Sequence, residues 1–115
     1  MINLRRIEKI NELLKREIGR IFSQELDFAN ILITITRVDT SSNFIQAKTY
    51  ISIFPEKERE KVFSYLNKNI YFFQQILNKR LKIRPVPKLI FEVEKQVQEA
   101  GRVEKTLEAL KKEEK

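Results

Sequence analysis

Residues 44–54, "FIQAKTYISIF", carry the pattern on which the fold turns. Ile45, Ala47, Thr49, Ile51 and Ile53 fall on one side at period two, and Gln46, Lys48, Tyr50 and Ser52 on the other. A helix would scatter these positions round its axis, whereas a strand collects them on one face. Upstream, residues 29–38, "ANILITITRV", alternate Ile31, Ile33 and Ile35 against Leu32, Thr34 and Thr36, again with β-branched residues prominent. Between the two runs "DTSSN", Asp39 to Asn43, supplies turn formers able to bond their own backbone. Together they predict an antiparallel hairpin with one buried face.

The flanks supply helices to cover that face. Leu4, Ile7, Leu14, Ile18, Ile21 and Phe22 recur at three- and four-residue spacing, which predicts an amphipathic helix from Asn3 to about Leu26. Its opposite face carries Arg5, Lys9, Arg16 and Arg20, with Glu8, Glu12 and Glu17 in pairing range. After the hairpin, Pro55 stops the strand and suits a first helical position, with Glu56, Glu58 and Glu60 near the positive end. Val62, Phe63, Leu66, Ile70, Phe73 and Leu77 keep the helical period to about Leu81, and neither Gly nor Pro decides between one helix and two. Arg84 precedes Pro85 and so avoids helical angles, which ends the helix near Ile83. "KLIFEVE", Lys88 to Glu94, alternates as a third strand; "QVQEAG" reads as a loop, and residues 102–115 as a weaker helix holding Val103, Leu107 and Leu110. The resulting order, α-β-β-α-α-β, is that of an α+β domain with a three-stranded sheet covered by helices on one face. Residues 1–99 would form the domain and residues 100–115 a short C-terminal helix and charged tail.

Composition removes several kinds of chemistry. The chain has 115 residues, 42% apolar, which suits one core, and contains neither cysteine nor histidine. A thiol nucleophile, a disulfide framework and the usual neutral-pH general base are therefore missing, as are both soft metal ligands. The carboxylates that remain in suggestive spacing, Glu92 with Glu94 and the Glu56–Glu58–Glu60 series, read better as solvent-facing strand residues and helix-dipole charges. No cofactor, metal, small-molecule substrate or catalytic group is expected. No apolar run approaches a membrane span, and the N-terminus lacks the apolar segment of a signal peptide, so the expected location is cytoplasmic.

The charge is +7 and unevenly placed. Residues 1–60 hold ten basic and nine acidic groups, and residues 92–115 hold six and seven. Residues 61–91 hold seven basic groups (Lys61, Lys68, Lys79, Arg80, Lys82, Arg84 and Lys88) and no carboxylate. Cations at a helix C-terminus complement its dipole, which accounts for Lys79, Arg80 and Lys82 but not for an acid-free span of this length. Clustered cations gain affinity for phosphates by releasing counterions, so the segment points to nucleic acid. Arg80, Lys82, Arg84 and Lys88 are the expected phosphate contacts. Lys79 and Lys68, then Arg5, Lys9, Arg16 and Arg20, form an outer set. Tyr71, Phe72 and Phe73 could stack on bases, although aromatic residues at helical spacing usually pack in a core or against a partner, and Phe73 fits the apolar face. The α-β-β-α-α-β order is that of a KH domain, whose GXXG loop grips the nucleic-acid backbone; with only Gly19 and Gly101 in the chain, no GXXG exists.

Four blocks in order resemble one family, ribosome-binding factor A. They are "RRIEKINELLKREIGRIF" in the first helix, "ITRVDTSSNFIQAKTYISIF" with Ala47 and Tyr50 in its Ala-x-x-Tyr run, "LNKNIYFFQQILNKRLKIRPVPKLIF", and the closing "EAGRVEKTL". The resemblance implies a type II KH-like domain whose central helices meet at an Ala-x-Gly kink in place of GXXG. It also implies transient binding to the immature small (30S) ribosomal subunit through 16S rRNA, with support of 5′-end maturation, especially in the cold, by a chain that is a monomer when free. Two departures from the family pattern stand out: Asn69, Ile70 and Tyr71 occupy the kink, and Gln74 stands where an arginine is usual. Two other readings stay open: a protein–protein adaptor using the hairpin edge or the first helix, and a hydrolase built on Glu92 and Glu94.

Overall fold

The computed structural model describes residues 4–94. Helix α1 spans Leu4–Glu25, strand β1 Leu32–Thr40 and strand β2 Gln46–Phe54; a 3-10 turn at Glu56–Glu58 leads into α2 (Arg59–Lys68), α3 (Ile70–Arg80) and β3 (Lys88–Val93). The sheet order is β1-β2-β3, with β1 antiparallel and β3 parallel to β2. Parallel neighbours need a crossover, and α2 with α3 is that crossover. Central β2 shows the expected alternation: Ala47, Thr49, Ile51 and Ile53 are buried. The helices pack on that side. The fold is α+β with helices on one face of the sheet, as the sequence predicts.

Helix α1 buries Leu14, Ile18, Ile21 and Phe22, the later part of its apolar stripe, whereas Leu4 stays exposed. It lies antiparallel alongside β1. Arg6 sits over the Phe44 ring at 5.2 Å, and the Asn11 Oδ1 accepts the Thr40 N–H at 2.9 Å. Phe22, Phe73 and Phe91, from α1, α3 and β3, meet with centroids 5.2, 5.8 and 6.2 Å apart. Gly19 is an exception within α1. Mid-helix glycine costs about 1 kcal/mol relative to alanine, yet a Cβ built at Gly19 meets nothing within 4 Å.

Several boundaries differ from the expectation, each for a local reason. Strand β1 begins at Leu32 rather than Ala29, because Phe28–Ile31 closes a turn (Ile31 N–H to Phe28 O, 3.3 Å) with Asn30 at φ 64°; asparagine tolerates that left-handed angle. The strand then runs on to Thr40, past the expected end at Val38. Its register steps from Ile35↔Ile51 to Arg37↔Tyr50, leaving Thr36 as a bulged extra residue. Inward positions therefore pass from Ile35 to Val38 and Thr40.

The turn accordingly falls on residues 41–45, where Asn43 Oδ1 accepts from Ser41 Oγ at 2.7 Å and from Ile45 N–H at 3.1 Å. Phe44 takes φ 61°, and Ile45, expected to face inward, is 63% exposed. Pro55 flanks the 3-10 turn instead of opening α2, which starts at Arg59. Helix α3 stops at Arg80, short of Ile83. The loop expected at residues 96–101 and the helix at 102–115 lie outside the described residues.

The crossover is two helices, broken without Gly or Pro. Asn69 adopts φ −107° and ψ 15°. Its N–H is shared between the Tyr65 and Leu66 carbonyls at 3.2 Å each, and its side chain donates to Tyr65 O at 2.8 Å. Its own carbonyl accepts the Phe73 N–H at 3.2 Å. One asparagine thus closes α2 and opens α3.

Thr49 is fully buried on β2, and its hydroxyl has no partner among the described residues. An unsatisfied buried hydroxyl costs about 1–3 kcal/mol, and valine has nearly the same shape. Thr49→Val is expected to stabilise the fold by about 1 kcal/mol, read as a higher denaturant midpoint; a lower midpoint would show that the hydroxyl contributes to the core.

Candidate nucleic-acid interface

The cations in the last turn of α3 and after it do two different things. Arg84 folds back on the helix end, donating from Nη1 to Leu81 O (2.8 Å) and Ile83 O (2.6 Å), with Nη2 3.4 Å from Asn78 O. It ties the connector to the helix end, and only its longest contact reaches a carbonyl of α3 itself. Arg80 is drawn inward, with Nε 3.8 Å from Glu17 Oε1 and Nη2 donating to Gln24 Oε1 at 3.2 Å. Lys79, Lys82 and Lys88 are exposed and form no ion pair among the described residues.

The connector to β3 is held by Gln74. Its Nε2 donates to Pro87 O (3.2 Å) and Asn78 Oδ1 (3.1 Å), and its Oε1 accepts the Leu89 N–H (2.8 Å). Lys88 donates its backbone N–H to Ile45 O at 2.9 Å, so its side chain projects from an anchored strand start. From the sequence Gln74 is only a departure from the family's arginine; nothing in it signals a clasp between α3 and β3.

Glu17 joins the two basic regions. Its carboxylate meets Arg20 Nη1 at 3.2 Å and Arg80 Nε at 3.8 Å, bringing α1 and the end of α3 together. Arg5, Lys9 and Arg16 line one shallow groove on the outer side of α1. Among the described residues no ion pair brings Lys68, at the end of α2, to either group. The charges of α1 also run against its dipole: its first turn holds Arg5 and Arg6 and no acid, and its last turn holds Glu25 and no base. Each such placement costs a few tenths of a kcal/mol or more at low salt. The helix gains nothing from Arg5 there, whereas a nearby polyanion would.

Tyr71 (73% exposed) and Phe72 (48% exposed) both lie on the surface beside the break at Asn69, against the commoner core role, while Phe73 is buried as expected. Tyr65 is also exposed, with Phe28 packed edge-on at 5.4 Å. Glu94, one of the two candidate catalytic carboxylates, is engaged in the sheet: it accepts from Thr36 Oγ1 at 2.7 Å and pairs with Arg37 at 3.3 Å. Among the described residues no three His, Cys, Asp or Glu side chains group as a metal site would require, and no helix is long and apolar enough to cross a membrane.

The family model described as ribosome-binding factor A matches residues 6–107. The chain belongs to the ribosome-binding factor A family. The ribosome-binding factor A of Prochlorococcus marinus (strain NATL1A) is 35% identical over 119 aligned residues, covering 100% of this chain and 97% of that one. That of Clostridium botulinum (strain Eklund 17B / Type B) is 32% identical, covering 90% and 92%. Solved structures of ribosome-binding factor A show the same KH-like fold. The crystal structure from Thermus thermophilus superposes with a TM-score of 0.63 at 23% identity, covering 76% of this chain and 94% of that one. A Thermus thermophilus homology model fitted into the cryo-EM map of a 30S complex gives 0.61 at 24% identity, covering 71% and 88%.

Proposed function

We propose that this chain binds the small ribosomal subunit through 16S rRNA and assists maturation of that subunit in the cytoplasm, without chemistry of its own. Family membership supports the reading, and so does the relative fitted into a 30S complex. The observation that carries it is the placement of cations where folding draws little from them: Arg5 at the positive end of α1, and exposed Lys82 and Lys88 beyond α3, with exposed Lys79 beside them in its last turn. Phosphate contacts position a protein without reading bases, so recognition would follow the folded shape of the rRNA. On this reading residues 1–99 are the binding unit and residues 100–115 an appendage. The free chain is a monomer, and the step assisted includes 5′-end processing of 16S rRNA, with the greatest need in the cold.

Sedimentation of the purified chain with mature and immature small subunits across a salt series tests the proposal. Binding should favour immature subunits and fall steeply with salt, with a slope set by the number of phosphates neutralised. Salt-insensitive binding would remove rRNA phosphate contact from the account and leave the adaptor reading in its place.

A further inference from the structure

Strand β1 forms one edge of the sheet. Among the described residues its outer edge is guarded at one end only, where Asn11 Oδ1 accepts the Thr40 N–H. On an antiparallel ladder outward N–H groups alternate, so counting back from Thr40 across the bulge assigns Val38, Ile35 and Ile33 to the free edge. Neither Pro nor Lys occurs between Leu32 and Thr40 to discourage pairing, and the charged Arg37 is folded over the Tyr50 ring at 3.7 Å. Beside this edge a groove runs along the flank of α1. One stretch, about 320 Å³, is lined by Phe22, Leu26, Phe28 and Leu32, with Asp27 as its one charged group. The next, about 610 Å³, is lined by Lys15, Arg16, Arg20 and Glu12, with Arg20 already paired to Glu17 at 3.2 Å.

Gly19, Ser23, Ile33 and Ile35 line both stretches. The glycine is the telling residue. Packing among the described residues gives no reason for it, since a Cβ there meets nothing within 4 Å, and the space before it is the groove. Glycine is the residue that lets another backbone approach closely.

We propose that this groove receives an extended polypeptide segment of another protein, which adds a strand to the free edge of β1 and passes close to α1 at Gly19. Main-chain hydrogen bonds to an exposed strand supply affinity, and side-chain pockets supply choice. Lys15 and Arg16, which form no ion pair among the described residues, select acidic side chains along the segment, and the Leu26–Phe28–Leu32 end takes an apolar one. A second copy of this chain would bring its own cations to the same flank, which charge disfavours. The site lies apart from Lys79, Lys82 and Lys88, although it shares Arg16 and Arg20 with the outer set of cations.

A short synthetic peptide alternating valine with glutamate, titrated into the full chain, tests the proposal through the amide resonances of Gly19, Ile33 and Ile35. Those amides should shift, and the lysine counterpart of the peptide should leave them unmoved. Gly19→Leu should weaken binding by about tenfold or more without lowering the melting temperature. Gly19→Ala should raise that temperature, as helix propensity requires. Lys15→Glu, at an exposed position, should weaken the peptide without disturbing the fold and serves if the leucine variant folds poorly. The proposal is overturned if these amides stay still, if Gly19→Leu and Lys15→Glu both bind as the parent does, or if the chain alone self-associates through β1. It is equally overturned if oligouridine moves the same amides more than the peptide does, which would assign the groove to nucleic acid.

Discussion

Replacing Phe73 by alanine is expected to remove about 3–5 kcal/mol of stability, the usual range for deleting a buried aromatic ring. Phe73 is 1% exposed and touches Phe22 of α1 and Phe91 of β3 at ring distances that favour edge and tilted contacts. With those two rings it closes a three-way contact among α1, α3 and β3. A domain of this size is stable by roughly 5–15 kcal/mol, so the loss would leave a chain close to its unfolding threshold. Phe73→Leu keeps most of the buried volume and should cost far less, about 1–2 kcal/mol. Equilibrium urea unfolding measures both. An alanine variant whose midpoint drops no further than the leucine variant's would mean that the three rings are not the joint between the layers.

The largest functional effect is expected from Lys79, Lys82 and Lys88 replaced together by alanine. All three are exposed and form no ion pair among the described residues, so their loss should leave folding nearly unchanged. If each meets one phosphate, the salt slope of subunit binding should flatten by about 2 to 3, and affinity near physiological salt should fall on the order of a hundredfold. Arg80→Ala should behave in the opposite way. Its guanidinium ties α3 to Glu17 and Gln24, so the variant should lose about 1–2 kcal/mol of stability while its salt slope changes less than that of the lysine set. Sedimentation across salt concentrations, run beside urea unfolding, separates the two. A flat response of the triple variant would move the rRNA contact elsewhere, with Arg5, Lys9 and Arg16 the next cations to test.

Much of the architecture was legible because one repeating pattern dominates each element. The stripe through Leu14, Ile18 and Ile21 needs nothing but the helical period, and the parity of Ala47 to Ile53 nothing but the strand period. What stayed hidden depends on partners distant in sequence. The bulge at Thr36 exists only relative to Tyr50 across the ladder, and the exposure of Ile45 follows from the unusual angle at Phe44. The break at Asn69 rests on a side chain bonding a carbonyl four residues back, where composition signals neither Gly nor Pro. Among the candidate contacts, Arg80 and Arg84 look like free cations in the sequence. Their use within the fold becomes visible only once Glu17, Gln24 and the end of α3 surround them.

Thr36 also decides how β1 responds to a change of length. Eight pairs link β1 to β2, and Thr36 belongs to none of them. The strand therefore holds one residue in surplus, and a deletion at that point could be absorbed with every pair still in register. A deletion further along could be absorbed at the same place only by sliding the intervening residues one step, which turns each to the opposite face of the sheet. Losing Asp39, for example, would carry Arg37 into the core and Val38 out of it. The bulge thus serves β1 as slack, usable where it lies and disruptive in proportion to the distance from it.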